Sequence, residues 1–240
     1  MSRLCVIPAR GGSKRIPGKN VRDFAGRPML THALKAAQDS GLFDHIHVST
    51  DDDKIAGVAA AAGAPPVFMR DPALADDHTP IREVVTSELT RFTSGQGGLT
   101  SMAGPFTTIA LVYATAVLIE AHDLREAMKA FEEQPCKPLL AVVDSGAPLE
   151  RLMVEDGGIL QPAIPARYAN RTQDLTPAWR DAGAFAIFSA ETLQADADGA
   201  QALAFRPFAL PRWKGVDIDT EDDWRFAELI KAGLSALEGA

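Results

Sequence analysis

A short basic loop near the N-terminus carries the residue types with the clearest chemistry. Residues 8–20 read PARGGSKRIPGKN and combine an adjacent pair of glycines with several cations: Gly11, Gly12, Arg10, Lys14, Arg15 and Lys19. Glycines let backbone N–H groups approach an oxyanion closely, and cationic side chains neutralise its charge. Arg10 can bind two phosphate oxygens at once, whereas Lys14 or Lys19 acts as a point charge. The loop therefore predicts a site for a triphosphate.

Two common phosphate-binding loops do not fit this spacing. A dinucleotide fold requires G-x-G-x-x-G, but here Gly11 and Gly12 are adjacent and the third required glycine is missing. A P-loop requires four residues between its two glycines, whereas Gly12 and Gly18 enclose five, and Asn20 stands where Ser or Thr is needed. A nicotinamide oxidoreductase is therefore disfavoured. A solvated turn without function is the remaining alternative, and it does not need so many cations or two prolines.

A pair of carboxylates near the C-terminus is the second chemical feature. Asp217 and Asp219 flank Ile218 at the end of an expected strand, so both carboxylates point to one side while Ile218 enters the core. Mg²⁺ binds one or two carboxylates together with substrate phosphates. The pair predicts a magnesium site, for which Mn²⁺ can substitute. As a structural alternative, Asp219 next to Thr220 only charges the first turn of a helix favourably.

Strands alternate with helices along the chain and must position these residues. Apolar, β-branched runs predict buried strands at residues 4–7, 46–48, 108–112, 139–143, 184–188 and 215–218. Apolar periodicity and glycine stops predict helices at residues 29–40, 55–62, 79–92 and 121–133, and Thr220 with Asp223 predicts a capping box opening a last helix. We therefore expect an α/β fold with three layers and a mainly parallel sheet, in which the basic loop follows the first strand.

One segment departs from this alternation. Residues 145–167 contain short apolar pieces around Asp156, Gly157 and Gly158, which is a hairpin signal. We predict one domain over residues 1–240 with a small β insertion at 145–167 as its dimerisation element. A lone hairpin cannot cover both of its faces, so we expect a homodimer in which Arg167 serves the neighbouring site. Residues 93–105, rich in glycine and small polar residues, predict a mobile surface loop.

Charge and composition exclude several other classes of protein. The net charge of −8 disfavours a nucleic-acid partner, because a polynucleotide needs a large basic patch. The apolar run at the N-terminus ends at Pro8 and is too short for a signal peptide or a membrane span, so we expect a cytoplasmic protein with no membrane partner. Cys5 and Cys136 each stand beside an expected core strand, which predicts two buried, reduced thiols.

Further segments stand in register with the basic loop and indicate a family. They are residues 48–52 (VSTDD), 68–77 (FMRDPALADD), 171–175 (RTQDL) and 216–220 (VDIDT). With the string I-P-A-R-G-G-S-K-x-I-P-x-K-N, the chain resembles the CMP-sialic acid synthetase family (acylneuraminate cytidylyltransferases) nearly from end to end. Arg15 after Lys14, residues 113–116 (YATA), and residues 181–183 (DAG) most resemble the branch that activates pseudaminic acid.

The resemblance implies a Rossmann-like nucleotidyltransferase that transfers CMP from CTP to the anomeric hydroxyl of a nonulosonic acid and releases pyrophosphate. The expected acid is pseudaminic acid. Nucleotide binding is then expected from the loop and from two later residues: Ala9, Arg10, Gly11, Gly12, Ser13, Lys14, Lys19, Asn20, Arg70 and Asp77. Arg70 is expected to reach the base. Arg10, Lys14 and Asp219 are the catalytic candidates, because an in-line displacement at the α-phosphate mainly requires charge stabilisation. The sugar hydroxyl loses its proton either to Asp219 or to a metal-bound water.

The acidic sugar needs a cation for its carboxylate and polar groups for its substituents. Arg171 and Gln173 are candidates, with an ordinary surface loop as the alternative. Tyr113 and Thr115 follow a buried strand at its carboxyl end, where open α/β sheets bind ligands, so they are candidates too. Tyr113 could equally belong to the core.

Three departures from the pseudaminic branch concern the sugar side of the expected site. Gly18 replaces an arginine, Val117 replaces a proline, and residues 184–186 (AFA) lack polar and aromatic neighbours typical beside Gly183. Two alternatives therefore stand beside the main prediction. One is the same reaction on N-acetylneuraminic, legionaminic or an octulosonic acid, and the other is a nucleotide-binding regulatory homologue without turnover.

Overall fold

A computed structural model describes residues 2–95, 105–195 and 204–238. Over these ranges the strands are β1 (Arg3–Pro8), β2 (Asp23–Phe24), β3 (Arg27–Pro28), β4 (His45–Ser49), β5 (Thr108–Val112), β6 (Leu139–Asp144), β7 (Met153–Asp156), β8 (Ile159–Pro162), β9 (Trp179–Ser189) and β10 (Arg206–Ala209). The α-helices are α1 (Leu30–Ser40), α2 (Asp53–Ala61), α3 (Ile81–Thr93), α4 (Ala121–Glu132), α5 (Ala190–Ala195) and α6 (Glu221–Glu238).

The described strands form one large sheet whose order is β10-β6-β9-β5-β1-β4. β1 lies parallel to both β4 and β5, and β10 lies parallel to β6. Only β9, between β5 and β6, runs antiparallel within this described sheet. The expected mainly parallel α/β sheet is confirmed. The sequence predicted residues 184–188 as a strand but neither the direction nor the full length of β9.

Helices cover both faces of the sheet and bury two apolar clusters. On one face α1 and α4 pack through residues such as Leu34 and Met128, and on the other face α3 packs through Val85 and Leu89. β1 alternates between the two clusters because successive side chains of a strand point to opposite faces. This three-layer arrangement agrees with the expectation from the sequence.

Residues 215–218 do not form the predicted strand. β6 already pairs with β9 on one side and β10 on the other, so no free ladder edge remains beside it. The segment instead runs extended, with Ile218 buried against Phe24 and Trp224. The predicted alternation survives, since Ile218 enters the core while Asp217 and Asp219 face away from it.

The predicted hairpin is present within residues 145–167. β7 and β8 pair antiparallel, and Gly157 and Gly158 have positive φ values of 57° and 82°, as a two-residue hairpin turn requires. Its apolar side chains are exposed; they include Met153, Val154, Ile159 and Leu160. The hairpin therefore presents apolar surface on both of its faces.

Several other expectations can be compared with the structure. Cys5 is fully buried, but Cys136 is exposed, because it lies in the turn between α4 and β6 rather than in a strand. The expected capping box is present, since the amide of Thr220 donates to Asp223 and the amide of Asp223 donates to Thr220 Oγ1. The expected loop at 93–105 lies mostly outside the described residues. Among the described helices, none has the length and apolarity to cross a membrane.

Candidate active site

The basic loop is attached to the neighbouring strand as it leaves β1. The amide of Gly11 donates to Asp51 Oδ1 at 2.9 Å, and Asn20 Nδ2 donates to the carbonyl of Arg10 at 3.0 Å. A Cβ at Gly11 would lie 2.8 Å from Asp52 Oδ2, so this position has no room for a side chain. Gly18 adopts a left-handed conformation with φ of 64°, which explains glycine at this departure from the family pattern.

Two cations of the loop converge on one carboxylate. Arg10 and Lys14 form ion pairs with Asp77 at 2.6 Å and 2.5 Å. Hydrogen bonds from Lys14 and then Arg10 lower the pKa of Asp77 to about 2. Asp77 is therefore ionised at neutral pH and holds both cationic heads at the rim of the site.

The other wall of the site carries the predicted carboxylate pair. Lys19 Nζ donates to the carbonyl of Ile218 at 2.6 Å and contacts Asp219 at 3.3 Å, while Arg15 pairs with Asp219 at 2.9 Å. The loop is thus tied directly to the segment before α6. Partial loss of hydration, followed by the charge of Asp219, raises the pKa of Asp217, although Asp217 keeps solvent contact.

Arg70 forms a buried floor beside the loop. Its Nε donates to Ser49 Oγ at 2.9 Å, and its Nη2 donates to the carbonyl of Ser49 at 2.7 Å. Burial lowers its pKa, and the negative charges of Glu88 and Asp51 oppose that shift. A guanidinium in such a place remains a cation and a donor of hydrogen bonds.

These walls enclose a cavity of about 280 Å³. Most of the predicted site residues line it: Arg10, Ser13, Lys14, Lys19, Asn20, Arg70, Tyr113, Thr115, Asp217 and Asp219. Ala9, Gly11, Gly12 and Asp77 stand beside it as part of the loop or its rim. The sequence reasoning did not assign Arg15 or Ile81, which also line the cavity. The position of Arg15 next to Lys14 was a signal for the first, whereas Ile81, an ordinary apolar residue opening α3, carried none.

Tyr113 follows β5 and lines the cavity. Its amide donates to the carbonyl of Ala184 at 2.9 Å, which fixes the backbone at the carboxyl end of β5. Burial raises the pKa of Tyr113 to about 12, so its hydroxyl stays protonated. The lining of the cavity therefore includes an uncharged hydroxyl in addition to its cations and carboxylates.

Two predicted sugar residues lie elsewhere. Arg171 and Gln173 are exposed, and Arg171 pairs with Asp174 at 2.9 Å, so this chain does not bring them into its own cavity. Among the departures from the family pattern, Val117 is buried against Ile16 and Ile218, and Ala184 is buried in the core. Val117 and Ala184 consequently do not touch the cavity, and the expectation that they lie on the sugar side is wrong.

The cavity unites a glycine-rich cationic loop, a carboxylate pair and a buried arginine at the carboxyl ends of β1, β4 and β5. The sequence profile of the family described as "Cytidylyltransferase" matches residues 4–206. The chain belongs to this cytidylyltransferase family. The family description and the arrangement of the cavity both indicate that the chain is a nucleotidyltransferase.

Relatives of this cytidylyltransferase span nearly its whole length. It is 35% identical over 235 residues to the pseudaminic acid cytidylyltransferase of Campylobacter jejuni subsp. jejuni serotype O:2, covering 96% of each chain. It is 27% identical over 227 residues to the N-acylneuraminate cytidylyltransferase of Streptococcus agalactiae serotype III, covering 93% of this chain and 52% of that protein.

Solved structures support the fold of this cytidylyltransferase. A CMP:2-keto-3-deoxy-manno-octonic acid synthetase complexed with CTP superposes with a TM-score of 0.71 at 16% identity, covering 97% of this chain and 99% of that one. A 4-diphosphocytidyl-2C-methyl-D-erythritol synthase gives a TM-score of 0.67 at 14% identity, covering 95% and 97% of the two chains. At these identities the likeness concerns the fold.

Proposed function

We propose that this cytidylyltransferase transfers CMP from CTP to the anomeric hydroxyl of a nonulosonic acid, with pseudaminic acid as the acceptor. The observation that carries the proposal is the 35% identity to a pseudaminic acid cytidylyltransferase over 96% of both chains. The cavity supports it, because cations on one wall and carboxylates on the other suit a triphosphate and its metal. CTP as substrate also favours the cytoplasm as the place of the reaction.

The loop performs the charge stabilisation that the transfer needs. Attack of the sugar oxygen on the α-phosphorus forms one P–O bond and breaks the bond to the pyrophosphate oxygen, so negative charge moves onto the leaving group. We assign Arg10, Lys14 and Lys19 to that charge. Ser13 and the amide of Gly12 complete the cradle, while the amide of Gly11 and the side chain of Asn20 hold the loop in place through Asp51 and the carbonyl of Arg10.

Asp217 and Asp219 fit a hard divalent cation. Both line the cavity with the loop, and the like charge of Asp219 contributes to the raised pKa of Asp217, which a cation would relieve. Among the described residues no cluster of three His, Cys, Asp or Glu could hold a metal unaided, which fits an ion that depends on substrate phosphates. Bound Mg²⁺ or Mn²⁺ would neutralise phosphate charge. Asp219, which lines the same cavity, is our candidate for accepting the proton of the sugar hydroxyl.

We place the acidic sugar on the side of Tyr113 and Thr115. Its carboxylate requires a cation, and the predicted sugar residues Arg171 and Gln173 are exposed and do not line this cavity. We therefore propose a homodimer joined through the β7–β8 hairpin, in which Arg167, Arg171 and Gln173 face the cavity of the neighbouring subunit. The exposed apolar side chains of the hairpin support that arrangement.

One assay tests the proposed reaction. The purified protein is incubated with Mg²⁺, each of the four nucleoside triphosphates, and a panel of pseudaminic, legionaminic, N-acetylneuraminic and octulosonic acids, and pyrophosphate release is measured. We expect release with CTP and the greatest kcat/KM with pseudaminic acid. Thermal stabilisation by CTP without pyrophosphate from any sugar would instead indicate a nucleotide-binding regulatory protein.

A further inference from the structure

A buried hydrogen-bonded group of polar side chains lies beside the cavity, next to the start of the phosphate loop, where the carbonyl of Ser49 accepts from the amide of Ala9 at 2.9 Å. Ser49, the last residue of β4, accepts from Arg70 Nε at 2.9 Å and donates through its own Oγ to Glu88 Oε1 at 2.5 Å. Glu88 comes from α3 and is 1% exposed, and Arg70 is 4% exposed. The serine hydroxyl thus connects a buried carboxylate to a buried guanidinium that lines the cavity.

Such burial is costly unless the charges compensate each other. Removing an ion from water costs several kcal/mol, and a buried arginine is stable only with hydrogen bonds and an opposite charge. Burial raises the pKa of Glu88, but the hydrogen bond from Ser49 and the charges of Arg91 and Arg70 oppose that shift and favour the carboxylate that Arg70 needs. His47 Nε2 lies 3.8 Å and Arg91 Nη1 3.5 Å from the other oxygen of Glu88. Burial lowers the pKa of His47 to about 3, so it is neutral at physiological pH and does not compete for the carboxylate.

The hydrogen bonds among Ser49, Glu88 and Arg70 also fix the orientation of the Arg70 guanidinium, in addition to balancing its charge. Arg70 donates to the hydroxyl and to the carbonyl of the same residue, Ser49, so its planar head is held by two bonds at fixed angles. These bonds use two of the five N–H groups of a guanidinium. The head as a whole still faces the cavity, so its direction there is set by Ser49 and Glu88.

A fixed donor can distinguish the two pyrimidine nucleotides. Position N3 of cytosine is an acceptor, whereas N3 of uracil carries a hydrogen and is a donor. Arginine only donates, so an arginine held against this edge stabilises cytosine and leaves two donors facing each other with uracil. A mobile arginine would turn towards O2, which both bases share, and lose the distinction.

We infer that Ser49 and Glu88 are positioning residues that hold Arg70 so that this cytidylyltransferase selects CTP over UTP. The inference rests on the proposed function, because it takes the bound nucleotide to be a pyrimidine triphosphate. It assigns no contact with the nucleotide to Ser49 or Glu88 themselves.

Nucleotide binding is the direct test, since it does not depend on the identity of the sugar. The dissociation constants of CTP and UTP are measured by calorimetry with Mg²⁺ for the wild type, Ser49→Ala, Glu88→Gln and the control Glu83→Gln. Glu83 is a carboxylate of the same helix outside this buried group. We expect Ser49→Ala to reduce the UTP-to-CTP ratio of dissociation constants about 10-fold, the size of one lost charge-assisted hydrogen bond. Glu88→Gln keeps an acceptor for Ser49 and should lose less, and the control should stay within twofold.

The pattern of loss separates positioning from simple damage. A variant that is only destabilised weakens CTP and UTP alike and leaves the ratio unchanged, which would overturn the inference. If Ser49→Ala and Glu88→Gln do not fold, the Arg70 Nε–H resonance of the wild type decides. Slow exchange with solvent and a shift on adding CTP but not UTP support the inference, and rapid exchange in the free protein contradicts it. Wild type that binds neither nucleotide contradicts the proposed function instead.

Discussion

Gly11 lies where the phosphate loop passes the start of α2, and the space there is already filled. An alanine Cβ would lie 2.8 Å from Asp52 Oδ2 and 2.9 Å from Asp52 Cβ, and Asp52 cannot withdraw because it caps α2 through the amides of Lys54 and Ile55. We expect Gly11→Ala to lower the free energy of unfolding by about 1–3 kcal/mol and to raise the KM for CTP.

Gly57 provides the matched control for that prediction. It lies inside α2, and a Cβ there meets nothing within 4 Å. Gly57→Ala should raise the free energy of unfolding by about 0.5–1 kcal/mol, because alanine is the better helix former. Urea unfolding of the two variants should therefore give changes of opposite sign, and equal changes would contradict the crowding at Gly11.

Asp217 should show opposite effects on stability and on activity. Its pKa is raised in the folded chain, so its ionised form is disfavoured by folding, and the cost grows as the pH rises above about 4. Asp217→Asn removes that cost. We expect its Tm without metal at pH 7 to exceed that of the wild type by about 1–2 °C, with the difference shrinking as the pH falls towards 4.

Activity of the same variant should move the other way. Loss of a carboxylate that we propose to hold the metal is expected to lower kcat about 100-fold or more. Asp219→Asn is the comparison, because it removes ion pairs with Arg15 and Lys19 and so should lose activity without gaining stability. Scanning fluorimetry with and without Mg²⁺, together with pyrophosphate release, measures both effects. A fall in Tm for Asp217→Asn at pH 7 would contradict the prediction that the ionised form of Asp217 destabilises the folded chain.

Functional residues that are adjacent in the sequence could be predicted from it, whereas contacts between residues far apart in the sequence could not. The loop at residues 8–20 and the Asp217–Asp219 pair carry their meaning in adjacent residues, so their presence around one cavity was predictable. Glu88 looks in sequence like any acidic residue of an amphipathic helix. Its role depends on Ser49, 39 residues away, and nothing in either local pattern announces the contact.

The start of α6 shows how an ordinary helix cap can serve the site. Asp223 accepts from the amide and hydroxyl of Thr220, both at 2.8 Å, and from the amide of Asp219 at 3.1 Å. The same carboxylate therefore closes the helix and fixes the backbone of a predicted metal ligand. The capping box was predictable because it is local, whereas its bond to Asp219 required the structure.

Asp223→Ala tests this double role. We expect the free energy of unfolding to fall by about 1 kcal/mol, the usual value of an N-terminal cap, and the apparent affinity for Mg²⁺ to fall about 10-fold. Asp222→Ala is the control, since Asp222 is exposed in the same turn and makes only a 3.8 Å ion pair with Arg225. Urea unfolding and metal titration of pyrophosphate release measure the two quantities. Loss of stability with unchanged dependence of activity on Mg²⁺ would show that Asp223 only caps α6 and does not position Asp219.

The order of the central elements was predictable, whereas the edge strand β10 (Arg206–Ala209) and the pairing of the strands were not. Apolar runs located β1, β4, β5 and β6 because strands buried on both faces have an obvious composition. The run at residues 215–218 has a similar composition but pairs with no strand, because both sides of β6 are already occupied by β9 and β10, and composition does not record which strands are already paired. The direction of β9 was hidden for the same reason, since antiparallel and parallel central strands bury similar side chains.

On the scale of the whole molecule, the candidate site lies at the carboxyl ends of the strands, and the β7–β8 hairpin lies outside it. Parallel β1 and β4, with β5 beside them, deliver the loop, Ser49 and Tyr113 to the same edge. The β7–β8 hairpin instead carries apolar side chains on both faces; Met153 and Leu160 share one face, while Val154 and Ile159 share the other. A protein rarely keeps such surface exposed unless another surface covers it.

A hairpin variant should therefore separate the proposed dimer without damaging the cavity. Ile159 is 64% exposed opposite Asp156, and Leu160 is 63% exposed opposite Glu155, so lysine at both positions removes apolar surface yet pairs with acids across the hairpin. We expect the double variant Ile159→Lys, Leu160→Lys to be a monomer by light scattering at micromolar concentration. Leu229→Lys on α6, where Leu229 is 72% exposed, is the control and should remain a dimer.

Kinetics of the same variant connect assembly to the sugar. The cavity that we propose to bind CTP is lined by residues of one chain, so the dissociation constant of CTP should stay within about twofold of the wild type. In the proposed dimer the neighbour supplies Arg167 and Arg171 as cations for the sugar carboxylate and Gln173 as a polar contact, so the KM of the sugar should rise about 10-fold or more in the monomer. A monomer that keeps the wild-type KM for the sugar would show that each chain works alone, and a wild type that is itself monomeric would remove the dimer. Because CTP and sugar are predicted to respond differently to one substitution, the result distinguishes a site shared between subunits from a general loss of structure.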